Sequence, residues 1–438
     1  MQYNGEEFEI MLPVGSYESL AAALQGGADS IYFGIQGLNM RSRSSNAFTL
    51  DDLHKIVQQC NEHGVRSYLT VNTIIYDNDL TYMRQIIDAA HQAGITAIIA
   101  ADVAVMSYAR QRGVEVHLST QLNISNVESL KFYAHFADVV VLARELSMNQ
   151  VAEIHRAIVD EQICGPRGKL IQIEMFCHGA LCMAVSGKCY LSLHEMSNSA
   201  NRGSCNQVCR RGYIVKDKES DIELEVDNQY IMSPKDLKTI HFINKMIDAG
   251  VRVFKIEGRA RGAEYVRTTA ECYKEALITS LEGEMTQEQI DRWDMRLAKV
   301  FNRGFWDGYY LGQRLGEWSH RYGSSATQRK VYIAKTIKYF SKLGVAEFQL
   351  ETQELCIGDE ILITGPTTGA VTLTVDEIRV DLIAVDRATK GDRFSIKVPE
   401  KLRPSDKMFR LITVEEKPAP RRHTPQQTKT PTPLNIRQ

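Results

Sequence analysis

Five of the nine cysteines in this chain fall in one short segment, between Cys177 and Cys209. Six residues separate Cys182 from Cys189, and three separate Cys205 from Cys209. Structural zinc sites usually have roughly two to four residues between paired cysteines in both halves, and here one half fits. Four soft thiolates with uneven spacing suit an iron–sulfur cluster at least as well. We therefore predict Cys182, Cys189, Cys205 and Cys209 as metal ligands, with Cys177 as the alternative for one of them.

Charged and polar side chains follow several short β-branched runs. The candidate catalytic residues are His178, Glu174, Lys255 and Glu257. The candidate substrate-binding residues are Arg41, Arg43, Asn72, His117, Gln121, Arg144 and Arg259. Arginine binds carboxylates through two parallel hydrogen bonds, so this many arginines favours an anionic ligand. Taken singly, each arginine is better explained as a solvated or ion-paired loop residue, and Lys255 and Glu257 could simply pair with each other.

A repeated pattern positions these residues. A helical stretch ends near a glycine and a short apolar run follows at once, as in Ala93-Gly-Ile-Thr-Ala-Ile-Ile-Ala100. Eight such runs between Glu9 and Gly258 predict a (β/α)8 TIM-like barrel, in which side chains at the carboxyl ends of the strands converge at one mouth. The rival is a doubly wound sheet. It is disfavoured because the turn after the first run lacks the G-x-G-x-x-G pattern.

The spacing of the runs also predicts the domain organisation. Residues 1–328 are assigned to the barrel, with a Cys-rich insertion at about 180–248 before the last strand and a helical extension at about 263–328. Ser233-Pro-Lys-Asp-Leu237 is predicted to start a helix, with Pro234 at its first position. Residues 329–413 show short strands and turns, which predicts a small β-barrel domain. The Pro-rich, basic tail, 414–438, is predicted to be disordered.

Composition excludes several classes of protein. The chain has 438 residues, of which 44% are hydrophobic and 24% charged, with a formal net charge of −2. That mixture excludes global disorder, and non-specific coating of nucleic acid usually needs a far more basic chain. Apolar runs are strand-sized and the N-terminus has no apolar leader, so neither a membrane segment nor a signal peptide is predicted. We expect a cytoplasmic protein and predict no particular oligomeric state.

The cysteine segment contains a longer signature. Glu174-x-Phe176-x-His178-Gly-Ala-Leu-Cys182, followed by Ser186-Gly-x-Cys189-x-Leu-Ser192, resembles the collagenase-like peptidase family numbered thirty-two in the unassigned catalytic class. Phe254-Lys-Ile-Glu-Gly-Arg259 and Asn302-Arg-Gly-Phe305 extend the resemblance over nearly the whole chain. It implies a 4Fe-4S cluster held by the insertion cysteines. Some relatives carry a further cysteine where this chain has Lys238.

Chain length and the C-terminal β-domain look most like the members that hydroxylate the wobble uridine of tRNA to 5-hydroxyuridine with prephenate. The resemblance therefore implies tRNA as partner and prephenate as co-substrate. It also leaves hydroxylation of ribosomal RNA, or another oxygen-independent hydroxylation, as an alternative.

A peptidase, as in the family name, is the second interpretation. It ranks second because neither G-x-S-x-G nor H-E-x-x-H occurs in the chain. Cys177 and His178 are also unsuited to act as a pair, since adjacent residues on a strand point to opposite faces.

Overall fold

The computed structural model describes residues 1–40, 48–211, 213–216, 223–226, 233–314, 316–319 and 323–414. For residues 213–216 and 223–226 it describes the backbone course alone. The predicted disordered tail lies outside the described residues from 415 onward.

Eight parallel strands form a closed barrel. They are β1 (Glu9–Pro13), β2 (Ser30–Phe33), β3 (Arg66–Val71), β4 (Ala97–Ala100), β5 (Glu115–Leu118), β6 (Val139–Val141), β7 (Gln172–Ala180) and β8 (Val251–Ile256). Each strand pairs with the next, and β8 closes the barrel by pairing with β7 and with β1, where Phe254 lies opposite Ile10. The predicted (β/α)8 barrel is confirmed.

Helices lie between and after the barrel strands along the chain. They are α1 (Tyr17–Gln25), α2 (Asp52–Glu62), α3 (Leu80–Ala93), α4 (Val103–Gln111), α5 (Val127–Ala134), α6 (Met148–Asp160), α7 (Leu191–Met196), α8 (Ile243–Asp248), α9 (Ala263–Leu281) and α10 (Gln287–Lys299). Gly94 ends α3 in the left-handed conformation, at φ 79°, as the repeat predicted. Within the described residues, no helix is long and apolar enough to cross a membrane.

Apolar side chains divide between the two faces of the barrel. Residues on the outer face, such as Ile10, Leu12 and Phe254, pack in one large core with the helices. Residues on the inner face, such as Met11, Tyr68 and Val253, form a smaller separate cluster that fills the barrel. Because the interior is packed, room for a ligand is left at the strand ends.

The Cys-rich insertion joins β7 to β8. Its segment Asp236–Lys238 is a strand that pairs antiparallel with the end of β7 and parallel with Phe305–Trp306. The predicted helix start at Ser233–Leu237 is therefore wrong. Asp236 is buried and accepts contacts from two arginines, so backbone pairing and an ion pair outweigh the helix-start signal here.

The C-terminal region forms an antiparallel sheet of eight strands. They are Gln328–Phe340, Val345–Leu350, Glu360–Gly365, Gly369–Thr374, Ile378–Val380, Ile383–Val385, Arg393–Lys397 and Lys407–Thr413. A separate two-stranded ladder joins Glu354–Cys356 to Arg387–Thr389. Two more hairpins pair Gln2–Tyr3 with Glu6–Glu7 and Tyr213–Lys216 with Glu223–Val226.

This C-terminal sheet has an apolar core of its own, in which Phe348 stacks on Phe394. The separate core supports the division of the chain near residue 328, which remains a proposal.

One side chain ties the C-terminal sheet to the barrel. Gln25, at the end of α1, donates to the carbonyl of Thr368 at 2.7 Å and accepts from the amide of Ala370 at 3.2 Å. Between these residues Gly369 has φ +67°, and a Cβ there would lie 2.3 Å from the Gln25 side chain. Only glycine fits this contact without displacing Gln25.

Candidate functional site

A cavity of about 390 Å³ lies at the carboxyl ends of the barrel strands and extends under the Cys-rich insertion. Ten of the residues predicted from sequence line it: Asn72, Gln121, Arg144, Lys255, Glu257, Arg259, Cys182, Cys189, Cys205 and Cys209. Most of the predicted polar residues and all four predicted metal ligands thus surround one space.

The last barrel strand and its extension supply three of these residues. Lys255, Glu257 and Arg259 alternate with residues such as Phe254 and Ile256, which pack outward in the large core. Successive residues of an extended chain point to opposite faces, so a spacing of two places all three side chains at the cavity.

Lys255 makes a buried ion pair. Its Nζ lies 2.6 Å from Oε1 of Glu174, with side chains 6% and 0% exposed respectively. The possible pairing of Lys255 with Glu257 is therefore not the arrangement found. Glu174 faces the barrel interior beneath the cavity and does not line it, so its effect on any ligand acts through Lys255.

Glu257 is held by a tyrosine. The Tyr32 hydroxyl donates to Oε2 of Glu257 at 2.9 Å. Burial, and then the nearby Glu257 carboxylate, raise the pKa of Tyr32 well above its usual value, so the hydroxyl keeps its proton. Glu257 thus lines the cavity wall with its Oε2 bonded to Tyr32.

Arg144 links the barrel to the insertion. One of its nitrogens donates to Ser186 Oγ at 2.9 Å, and its guanidinium lies 5.1 Å from the centre of the Phe176 ring. Nearby, Nδ2 of Asn72 donates to Ser119 at 3.1 Å and to Gln121 at 3.3 Å. The Arg144–Ser186 contact joins the barrel to the insertion, whereas the Asn72 contacts hold polar groups together at the strand ends.

Three arginines at the cavity were not among the predicted site residues: Arg210, Arg261 and Arg303. Arg261 and Arg303 each contact the buried carboxylate of Asp236, at 3.3 and 3.4 Å. The sequence signal was present, since Arg303 lies in the Asn302-Arg-Gly-Phe305 motif and Arg261 stands two residues beyond Arg259. What sequence could not show was that Asp236 in the insertion brings both together.

Two arginines of the insertion make contacts within the protein. Arg202 forms an ion pair with Asp79 and lies 4.1 Å from the centre of the Tyr76 ring. Arg210 donates to Ser233 Oγ and to the carbonyls of Pro234 and Leu181. Both side chains therefore hold the insertion in place.

The four cysteines form one group at the cavity wall. Burial raises the pKa of the Cys209 thiol to about 11, against the effect of Arg210 and with further increases from the other three thiols. Within the described parts of the chain, no three His, Cys, Asp or Glu side chains are arranged to hold a metal ion. A single zinc ion holds its sulfurs at about 2.3 Å, so the cysteines as placed do not form a zinc site.

Two predicted histidines do not line the cavity. His117 is buried lower in the barrel, where its ring packs on Tyr68 and its Nε2 lies 3.1 Å from Glu115. His178 packs against the rings of Tyr265, Tyr273 and Phe305. Their predicted roles at the mouth do not match this placement.

A register shift in the pairing of β7 with β8 explains the position of His178. Phe176 lies opposite Lys255 and His178 opposite Ile256, so Cys177 is skipped in the strand pairing, and its thiol donates to the carbonyl of Lys255 at 3.5 Å. Strict alternation therefore ends at Cys177, and both Cys177 and His178 are buried away from the cavity. Arg41 and Arg43, the remaining predicted residues, lie outside the described residues, in 41–47.

We expect His178 to make stability depend on pH. Burial, with Lys238 and Arg261 nearby, lowers its pKa from 6.5 to about 3. As the pH falls, His178 is therefore protonated in the unfolded chain at a higher pH than in the folded chain. Stability is complete above pH 6.5 and falls as the pH drops from 6.5 towards 3. At pH 5 the loss should be about 2 kcal/mol.

Urea unfolding at several pH values checks this expectation. The variant His178→Phe should have a smaller slope between pH 5 and 6.5 than the unchanged chain. The exposed His63→Gln variant is the control and should keep the full slope. An identical slope in all three proteins would contradict the assignment.

A family model described as Peptidase family U32 matches residues 15–320. The chain belongs to peptidase family U32. The resemblance drawn from the cysteine segment is thus confirmed.

Near relatives within the U32 family carry one name. A protein from Porphyromonas gingivalis, named "Collagenase", is 68% identical over 413 residues, covering 94% of this chain and all of that protein. Another from the same species, also named "Collagenase", is 63% identical over 371 residues, covering 83% of this chain and all of the relative.

A relative with a different name matches more weakly. The "tRNA hydroxylation protein P1" of Bacillus subtilis is 31% identical over 381 residues, covering 84% of this chain and 86% of that protein. The predicted prephenate-dependent hydroxylation of tRNA is therefore wrong as the main interpretation, because the much nearer relatives are named for peptidase activity. That prediction rested on chain length and the C-terminal β-domain. Prephenate as co-substrate and tRNA as partner were implied only by the resemblance to the tRNA-hydroxylating members, and both stay untested predictions.

Proposed function

We propose that this protein is a peptidase that hydrolyses collagen-like peptides at the mouth of the barrel. One observation carries the proposal: a relative 68% identical over its whole length is named "Collagenase". The cavity at the strand ends offers the space and the polar groups that such a reaction needs.

The lining residues restrict the mechanism. The described residues around the cavity include serines and cysteines but no histidine, so a Ser–His or Cys–His pair is not available there. Direct attack by water is a route that these lining residues support. Glu257 accepts a proton from water while the water oxygen attacks the peptide carbonyl, and a guanidinium group stabilises the oxyanion. Glu257 then delivers the proton to the leaving nitrogen as the C–N bond breaks, which gives a carboxylic acid and an amine.

Hydrolysis of heat-denatured collagen by the purified protein tests the function. New amino termini should appear with time. A purified, folded protein that releases none from denatured collagen or from short peptides containing Gly-Pro would contradict the proposal.

We also propose that Cys182, Cys189, Cys205 and Cys209 hold a 4Fe-4S cluster. Each thiolate binds a different iron of such a cluster, so the four sulfurs stand further apart than around one ion. That requirement is compatible with four thiols on one cavity wall that form no single-ion site. The raised pKa of Cys209 means that metal must displace a proton there, which makes metal binding stronger at higher pH. The cluster would position the insertion over the mouth.

Iron and acid-labile sulfide, measured in anaerobically purified protein, should be present and should be lost in the Cys189→Ser variant. The exposed Cys164→Ser variant is the matched control and should keep both. Stoichiometric zinc without iron would contradict the cluster.

A further inference from the structure

Positive charge exceeds negative charge at the cavity. Six cations line it: Arg144, Arg210, Lys255, Arg259, Arg261 and Arg303. Glu257 is the carboxylate among the described lining residues, while Glu174 and Asp236 pair with lining cations from behind. The six cations thus outnumber these three carboxylates, and a buried excess of like charge is unfavourable unless an anion joins it.

The excess is concentrated at two guanidinium groups. Arg261 and Arg303 share the single carboxylate of Asp236, with side chains only 10% and 15% exposed. The pKa of Arg261 is lowered, first by burial and in part by repulsion from Arg303. Asp236 therefore contacts both cations in a site with little water, and the Glu257 carboxylate also acts electrostatically on Arg261.

Both guanidinium groups are also held in fixed orientation. They lie against the ring of Phe301, with guanidinium carbons 3.7 Å (Arg261) and 5.3 Å (Arg303) from its centre. Asp236, which fixes their other side, is buried. Each guanidinium has five N–H donors and makes one contact to Asp236, so donors remain for a second planar anion.

The cysteine group acts on a third arginine of the cavity, Arg210. Arg210 is repelled by Arg303 and attracted by Cys209, Asp236 and Cys182, so thiolates in a cluster would offset part of its charge. Asp236 contacts Arg261 and Arg303 and also acts on Arg210, so this single carboxylate is shared by three guanidinium groups and positive charge remains for a ligand.

We propose that Arg261 and Arg303 bind a carboxylate of the peptide substrate. The carboxylate comes either from an acidic side chain or from the C-terminus of the peptide. The proposal rests on the peptidase function and adds a substrate class to it: peptides that carry a carboxylate close to the bond that is cut.

Three synthetic peptides of equal length separate the sources: Ac-Gly-Pro-Ala-Gly-NH2, Ac-Gly-Pro-Glu-Gly-NH2 and Ac-Gly-Pro-Ala-Gly-OH. The first is neutral, the second has an acidic side chain and the third a free C-terminus. Calorimetric titrations would use the Glu257→Gln background, so that bound peptide is not turned over. One or both anionic peptides should bind roughly ten- to a hundred-fold more tightly than the neutral one, and the tighter of them identifies the source.

Two variants and a control assign the effect. Asp236 keeps one guanidinium in Arg303→Ala, so the fold should survive, and the preference for the anionic peptide should fall to about threefold or less. Arg303→Lys should recover only part of it, because lysine lacks the planar pair of donors. The exposed Arg292→Ala variant should keep the full preference. Thermal unfolding of all variants verifies that they are folded.

Equal affinity for the three peptides would overturn the proposal, as would detectable binding by none of them. Loss of affinity for neutral and anionic peptides alike in Arg303→Ala would also overturn it, since that pattern indicates a structural role. Hydrolysis of denatured collagen is measured separately. Cleavage of collagen without a carboxylate preference would support the peptidase function and overturn this inference. Binding of the anionic peptides without any hydrolysis would overturn the peptidase function and leave the carboxylate-binding site standing.

Discussion

Replacing Glu257 with glutamine should lower the rate of collagen hydrolysis by about a hundred- to ten-thousand-fold, the usual contribution of a positioned general base. Glutamine keeps the size of the side chain and can still accept from Tyr32, so the cavity should keep its shape. What it loses is the ability to take a proton from water. The effect should therefore fall on kcat, with little change in KM.

The exposed Glu153→Gln variant on α6 is the matched control and should retain the full rate. Initial rates at several concentrations of denatured collagen provide the measurement, with thermal unfolding as a check on structure. An undiminished rate in the Glu257→Gln variant would remove Glu257 as the base while leaving the peptidase function standing.

The second large effect concerns stability. Changing Lys255 to methionine should lower the free energy of unfolding by about 3–5 kcal/mol, because Glu174 would remain as a buried charge without its partner. Glu174 is fully buried, and among the described residues its second oxygen, Oε2, already has no hydrogen-bond partner. Changing Glu174 to leucine as well should recover most of the loss, since an apolar pair of similar volume needs no charge compensation.

The Lys299→Met variant is the control for Lys255→Met. Lys299 pairs with Glu360 at 3.7 Å on the surface, where its side chain is half exposed. Removing that pair should change stability by about 1 kcal/mol or less. Urea unfolding of the four proteins compares them directly. A loss below about 1 kcal/mol in the Lys255→Met variant would show that the buried pair contributes little.

Sequence patterns were sufficient to predict the barrel because the signal for one βα unit repeats along the chain. Each glycine-ended helix followed by a buried apolar run predicts one βα unit, and eight units leave few architectures. The same reasoning placed Lys255, Glu257 and Arg259 on one face, since a spacing of two suffices for that.

The sequence did not show how deep in the barrel a side chain lies or where the strand register shifts. His117 points into the barrel as alternation predicts, but its position along β5 sets it one layer below the cavity, against Tyr68. His178 is displaced by the register shift at Cys177, for which a single sequence gives no sign. The helix-start pattern at Ser233–Leu237 was local, whereas the strand that forms there depends on distant partners, Arg261 and Arg303. Local patterns cannot rank such contacts against one another.

Closure of the barrel by β8 has a consequence for how the protein is made. β1 pairs with β2 along one edge, but its other edge is covered only by β8, where Ile10 meets Phe254. At about 5–20 residues per second, a ribosome needs on the order of 10–50 s to synthesise the residues between them. During that time β1 presents an open apolar edge, which is prone to pairing with other chains. Yield in a cell should therefore depend on chaperones that bind nascent chains.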